Sequence, residues 1–282
     1  MQKFELFDET FDPDRTESYE LSIQVSLNGF SFCIKDVTRK QYIGLVSFPF
    51  GLAIKYSEDW PNYVKQVLTT FPWLSNSFKR VLFCYESPSC TIVPKDFFEP
   101  QKAKQFLNTI HSIDPLDEIW YNNLQNELVS IFNIPSTLVS YWLTIQKKTR
   151  FIGFCDPALC YHRLSTSHQS FPMITLSLSE KFSVVIISKS SRLLHCGSVE
   201  AQVPEDIVYH LLNICQKLKL ATGDISVKLL GNVYEEERLE SLIDRFFKSV
   251  KQASTIEQNY FSYLLSKHKV KFANLFNQSL CE

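Results

Sequence analysis

Glycine is scarce in this chain of 282 residues: seven occur, where average usage gives about twenty. They stand at positions 29, 44, 51, 153, 197, 223 and 231, and no two lie closer than seven residues. A glycine-rich loop that lets backbone N–H groups close on a phosphate therefore has no place here, which excludes P-loop and dinucleotide-binding signatures. Long apolar runs are lacking as well. None approaches the roughly 18 residues that span a bilayer, and the acidic, broken opening over residues 1–10 has no apolar stretch of the secretory kind. Charge of one sign is not in surplus: 29 Lys and Arg face 30 Asp and Glu, a formal charge of −1. Such a chain lacks the electrostatic footprint of nucleic-acid binding. The expectations are no nucleic acid, no membrane and a cytoplasmic location.

What the chain has in quantity is apolar and aromatic material. Hydrophobic residues make up 45%, with 23 Phe and 12 Tyr, enough to fill two cores in a chain whose length allows two domains. The eight cysteines are scattered, and Cys33, Cys84, Cys196 and Cys215 sit in strand-like or helix-like runs. They are expected to be reduced and to act as small hydrophobes, and with cores of this size stability need not depend on disulfides or metals.

The order of elements is legible from periodicity. Residues 1–18 read as a polar lead-in. Residues 21–27 alternate, with Leu21, Ile23, Val25 and Leu27 on one face. Asn28-Gly29 predicts a type I′ hairpin turn, residues 30–35 a second strand and 42–48 a third. A helix opens near Pro61 and stops at Pro72. Strands follow over 80–85 and 91–93, a helix over 102–111, a strand over 127–134, and a helix over 136–146 capped by Ser136. Residues 149–169 break the pattern and read as a join. Strands over 174–178, 182–187 and 192–199 then repeat the opening meander. A helix over 204–218 opens on Pro-Glu-Asp, and a strand over 225–230 and a helix over 235–247 follow. A shift of 152 residues lays Phe30-Ser31 on Phe182-Ser183. The expected organisation is a lead-in (1–18), a first half (19–148), a connecting segment (149–170) and a second half (171–282).

Two βββαβα units in tandem, in an α/β chain with mixed sheets, resemble the actin-like ATPase (ribonuclease H-like) architecture shared with sugar kinases. More narrowly, Leu-Ser-Ile-Gln-Val-Ser-Leu-Asn-Gly-Phe-Ser-Phe-Cys-Ile at 21–34, Thr-Ile-Val-Pro at 91–94 and the closing Asn-Leu-Phe…Leu-Cys-Glu resemble an uncharacterised bacterial family. It is called domain of unknown function 3822 and is associated with an actin-like ATPase fold. The resemblance implies the fold and brings no activity with it.

Actin-like ATPases wrap the phosphates of a nucleotide with one hairpin turn from each half, in the pattern Asp-x-Gly followed by Thr or Ser. Glycine admits backbone N–H groups, the hydroxyl adds a donor, and the carboxylate positions hydrated Mg²⁺. Here the first turn reads Leu27-Asn28-Gly29-Phe30 and the second Ser179-Glu180-Lys181-Phe182; a Gly-Gly on the adenosine side is represented by Gly231-Asn232. Both turns lack the metal-positioning acid. The expected interdomain cleft therefore comprises Asn28, Gly29, Glu180, Gly231 and Asn232, with no catalytic residue, no metal site and no cofactor, ATP with Mg²⁺ being the alternative.

Two further groups carry residues of chemical interest. Cys155, Cys160, His162 and His168 offer soft ligands or a thiol–imidazole pair, but their spacing matches no standard metal motif. Glu235-Glu236-Glu237 fits a helix start. The reading is a degenerate, non-catalytic actin-like protein that works as a scaffold for an unknown protein partner, a second copy of the chain included. The alternative is a nucleotide-binding protein or phosphotransferase with a rearranged site, in which Glu180 or Asp224 supplies the acid.

Overall fold

The computed structural model describes residues 3–124, 127–201, 203–231, 236–253, 255 and 260–281. The chain opens with β1 (Phe4–Phe7), β2 (Tyr19–Ser26), β3 (Gly29–Asp36), β4 (Gln41–Pro49), α1 (Trp60–Thr70) and β5 (Arg80–Tyr85). Next come β6 (Cys90–Pro94), α2 (Ala103–Asn108), β7 (Asp117–Leu124), β8 (Leu128–Pro135), α3 (Ser136–Ile145), β9 (Thr149–Ile152) and α4 (Cys155–Thr166). Then follow β10 (Met173–Leu178), β11 (Phe182–Lys189), β12 (Arg192–Glu200), α5 (Pro204–Lys217), β13 (Ser226–Leu230), α6 (Glu236–Asp244) and β14 (Ser249–Gln252). The tail carries β15 (Tyr260–Phe261), α7 (Tyr263–Ser266) and α8 (Ala273–Asn277).

Among the described residues the strands form three sheets. The first runs β1-β4-β3-β2-β5-β9 with β15 added on β4, and the second runs β12-β11-β10-β13-β14. Five strands of the first, β4-β3-β2-β5-β9, match the second in order. They also match in direction: an antiparallel meander followed by two parallel additions. A register shift recurs in the second hairpin of each, at Ile34/Lys35 and at Ile187/Ser188. This is a mixed α/β architecture. The parallel strand β5 is a buried run from Val81 to Cys84, β13 alternates, with Ser226 and Lys228 half-buried, and α5 opens with Pro204 in its first turn followed by Glu205 and Asp206.

Several elements depart from the pattern read in the sequence. The lead-in carries a strand: Phe4–Phe7 alternates, with Phe4 and Leu6 packing under the C-terminal tail and Phe7 stacking on Phe11 beside Trp73. The loop of the first hairpin is Leu27-Asn28, since Ser26 pairs with Gly29. Among the described residues positive φ occurs at Lys40, Ser190, Ser191, Lys219 and Gly231, so the type I′ expectation at Asn28-Gly29 does not hold. Bonds from Phe50 N to Asn28 O and from Ile54 N to Leu27 O shape that turn instead. Strand β7 was missed, and it makes a third sheet, β6-β8-β7. Ser136 is the first helical residue of α3 and makes no capping bond.

The segment read as a join holds β9 and α4. The first two turns of the latter, Cys155 through His162, are buried around their whole circumference, and the polar side chains there, Asp156 and His162, find internal partners. Cys90 on β6 and Cys155 on α4, with Cα atoms 6.7 Å apart, form a disulfide, a departure from eight reduced thiols. Finally the tail returns to the first half. There Gln278 Nε2 donates to Ile23 O at 2.9 Å, Asn274 Nδ2 to Phe154 O at 3.3 Å, and Leu275 and Phe276 cover Cys33, Tyr42 and Leu45.

Candidate functional site

The turn after β2 and the turn after β10 lie at the same end of equivalent strands, and the fold brings them face to face. Asn28 Nδ2 donates to Glu180 Oε2 at 2.7 Å. These residues are 152 positions apart, the same offset that aligns the two halves, so equivalent positions of the two turns meet across the cleft. A second bridge lies beside them: Ser179 Oγ donates to Glu86 Oε1, and Gln24 Nε2 donates to Glu86 Oε2 at 2.9 Å. Glu86 follows β5 directly. Burial raises its carboxyl pKa and the charge of Glu180 adds to this, while the bonds from Ser179 and Gln24 oppose it.

These bridges divide the space between the halves. On one side a cavity of about 830 Å³ is lined by Asn28, Glu86, Glu180, Lys181, Glu200 and Asp206 among others. On the other, about 110 Å³ remains between Gly29, Glu86, Glu180 and Gly231 and the tail residues Lys271 and Asn274. Four carboxylates against one lysine give the larger cavity an acidic character. Two buried acceptors, Gln24 Oε1 and Asn274 Oδ1, have no hydrogen-bond partner among the described residues.

Of the residues singled out in the sequence, Asn28, Gly29, Glu180 and Gly231 all line this space, and Asn232 lies outside the described residues. Gly231 has φ +89°, and a Cβ there would stand 2.7 Å from Leu178 O. Its N–H donates to Val270 O. Glycine is thus required by close backbone approach to the end of β10. Asp224 is removed from the cleft. It precedes β13, whose first residue pairs with Met173, five residues before the cleft end of β10, or roughly 17 Å away at about 3.3 Å per residue. Ser179 belongs to the second turn already read in the sequence, whereas Gln24, Glu86 and Asn274 carry no such signal. These three reach the site from separate elements, and no local pattern marks them.

Set against a magnesium triphosphate, the donor set is a poor match. Leu27 offers no carboxylate. Phe30 offers no hydroxyl and is fully buried against Phe83 and Trp142. The N–H of Asn28 is occupied by Ser26 Oγ at 3.2 Å.

The cysteine–histidine group of α4 does not converge. Cys155 is joined to Cys90, whereas His162 lies between Thr175 Oγ1 (Nδ1, 2.8 Å) and Ser188 Oγ (Nε2, 2.7 Å). Burial, helped by Lys228, pushes the imidazole pKa down to about 3. It is neutral near pH 7 and too weak a base to activate Ser188. Cys90, Cys155 and Asp156 place one ligand atom each within 4.8 Å. Both thiols are spent in the disulfide, and Asp156 Oδ2 accepts from Gly153 N and Asn122 Nδ2. No helix among the described residues is long and apolar enough to cross a membrane.

The chain belongs to the family described as Protein of unknown function (DUF3822), whose model matches residues 8–250. It is similar in structure to a Bacteroides thetaiotaomicron VPI-5482 protein described as having an actin-like ATPase fold and unknown function. That match has a TM-score of 0.80 at 22% identity and covers 97% of this chain and all of the other. A chain of the PilM–PilN type IV pilus biogenesis complex matches with a TM-score of 0.57 at 11% identity, covering 94% of this chain and 98% of the other. No curated protein matches the chain. The fold is thus the actin-like ATPase fold, in a family whose function is unknown.

Proposed function

We propose that this protein is a non-catalytic actin-like module whose interdomain cleft recognises a protein partner and hydrolyses no nucleotide. The observation that carries the reading is the bond between Asn28 and Glu180. It joins the two turns whose counterparts in actin-like ATPases stand apart around a phosphate. Both turns lack an acid to hold the metal, and losing such preorganised charge costs orders of magnitude in rate. The acidic, polar cavity beside the bridge suits a partner that presents basic and hydrogen-bonding groups. The likeness to a chain of the PilM–PilN complex adds an instance of this fold within a protein assembly. The site of action proposed is the cytoplasm.

The first test is thermal unfolding with and without millimolar Mg-ATP. A ligand at a hundred times its dissociation constant adds about 2.7 kcal/mol, which for a chain of this size raises the midpoint by roughly 2–4 °C per kcal/mol. No shift is expected. A shift of several degrees that Glu180→Ala abolishes would overturn the reading. The second test is affinity capture from native extract, in which the wild type retains a specific protein and Glu180→Arg loses it.

A second reading rests on the size and polarity of the 830 Å³ cavity: a nucleotide-binding protein or phosphotransferase with a rearranged site and Glu180 as its acid. It requires measurable turnover that Glu180→Gln removes.

A further inference from the structure

We infer that the protein carries a second binding site, for a small anion, at the end of β11 remote from the cleft. A cavity of about 470 Å³ opens where the start of β8, the last turn of α4 and the β11–β12 hairpin meet. Strand β11 separates it from the cleft by seven residue steps, or roughly 23 Å. The volume falls within the usual range of small-molecule pockets.

Its charges are Arg163, Arg192 and Glu127. Arg163 Nη2 donates to Glu127 Oε2 at 2.8 Å, but that glutamate side chain is 74% exposed. Among the described residues one N–H of that five-donor guanidinium is engaged, by a well-solvated carboxylate. Arg192 has no side-chain ion pair among the described residues. Two guanidinium groups facing one pocket with a single carboxylate between them leave an unbalanced positive charge.

The competing acceptors are already spent. His162 O accepts from the hydroxyls of Ser165 and Thr166, Leu164 O from that of Ser167, and Ser167 O from that of Ser191. The floor is uncharged, because burial keeps His162, bonded to Thr175 and Ser188, in its neutral form.

The backbone supplies an independent observation. Ser190 and Ser191 both have positive φ, 50° and 63°, in a two-residue turn where Asn or Gly is the usual choice. Their hydroxyls donate to Ser170 O at 3.2 Å and Ser167 O at 3.0 Å. The strained turn is thereby pinned to the segment after α4, which holds Arg192 at the rim of the cavity that Arg163 also lines. Strain held in place by hydrogen bonds at the rim of a charged pocket is characteristic of a binding site. The fork geometry of two arginines selects an oxyanion, either a phosphate or a carboxylate.

The test is calorimetric titration of the full chain with inorganic phosphate, pyrophosphate and citrate in separate arms at constant ionic strength. One arm is expected to saturate at one ligand per chain, and which arm does so tells phosphate from carboxylate. Arg192→Gln and Arg163→Gln are each expected to weaken binding at least tenfold. Glu127→Gln, which removes the competing carboxylate, is expected to tighten it severalfold, and Glu180→Gln to leave it unchanged. Absence of saturable binding in all three arms overturns the assignment. So does binding that survives both arginine changes, or binding that is lost with Glu180→Gln.

Discussion

The two larger sheets share a strand order and differ in what packs against them. Around the first sheet the packing is aromatic: Phe30, Phe83 and Trp142 meet one another, and Phe32, Phe71 and Trp73 form a second group. Under the second sheet it is aliphatic, with Ile174, Leu176, Val185, Leu211, Leu229 and Ile243 fully buried and Phe247 the aromatic member of the cluster. One topology thus tolerates two packing chemistries, as expected if alternation and turn placement set the fold while side-chain shape sets its rigidity. The edges differ too. The first sheet gains β1, β15 and the tail, while β12 is held against the β5–β6 loop by Ser198 Oγ donating to Pro88 O at 2.7 Å.

The largest expected break in this comparison is Trp142→Ala. The indole is fully buried and its Nε1 donates to Thr149 Oγ1 at 2.9 Å. A loss of about 3–5 kcal/mol is expected in urea unfolding, against about 2–4 kcal/mol for Leu211→Ala in the aliphatic core.

Next is acidity at α4, which lies between the halves. His162 titrates near 3 in the folded state and near 6.5 unfolded, so the unfolded chain takes up the proton first and stability falls as pH drops below 6.5. Asp156 has the opposite sign. Burial raises it to about 6, so the folded state protonates first and stability rises as pH falls from 6 towards 3.8. In the wild type the two oppose each other. His162→Gln should leave Asp156 uncompensated, with stability increasing relative to wild type by about 2–3 kcal/mol between pH 6.5 and 4. Parallel pH profiles for the two proteins would remove this account.

A smaller effect separates the glycines. Gly231→Ala meets both positive φ and Leu178 O, and should cost about 2 kcal/mol. Gly223→Ala, with nothing within 4 Å, should fall within about 0.5 kcal/mol of wild type by thermal unfolding. The smallest expected effect is that of Asn28→Ala. Its exposed bond to Glu180 should contribute under about 1 kcal/mol to the urea midpoint.

How much of this was legible in the chain follows from how each element is buried. Strands β2, β3, β10 and β11 declared themselves because one face or both are apolar, and α5 because Pro-Glu-Asp marks its start. Strand β7 is a half-exposed edge with Asn122 and Asn123 in it, so its alternation is faint. The first two turns of α4 are buried on every side, which erases the amphipathic stripe that would reveal it. The cleft was half legible. Asn28 and Glu180 follow from aligning two turns, whereas Glu86 is brought to Ser179 across 93 residues by the topology alone.

The returning tail has a consequence for synthesis. Cys33, Tyr42 and Leu45 are covered by Leu275 and Phe276, residues made more than 220 positions later. At roughly 5–20 residues per second, that face of the first sheet emerges from the ribosome and stays bare for on the order of ten to fifty seconds. The nascent chain must hold an apolar surface clear of its neighbours until Leu275 and Phe276 arrive, so a ribosome-stalled fragment ending before Tyr260 is the form most prone to capture by chaperones.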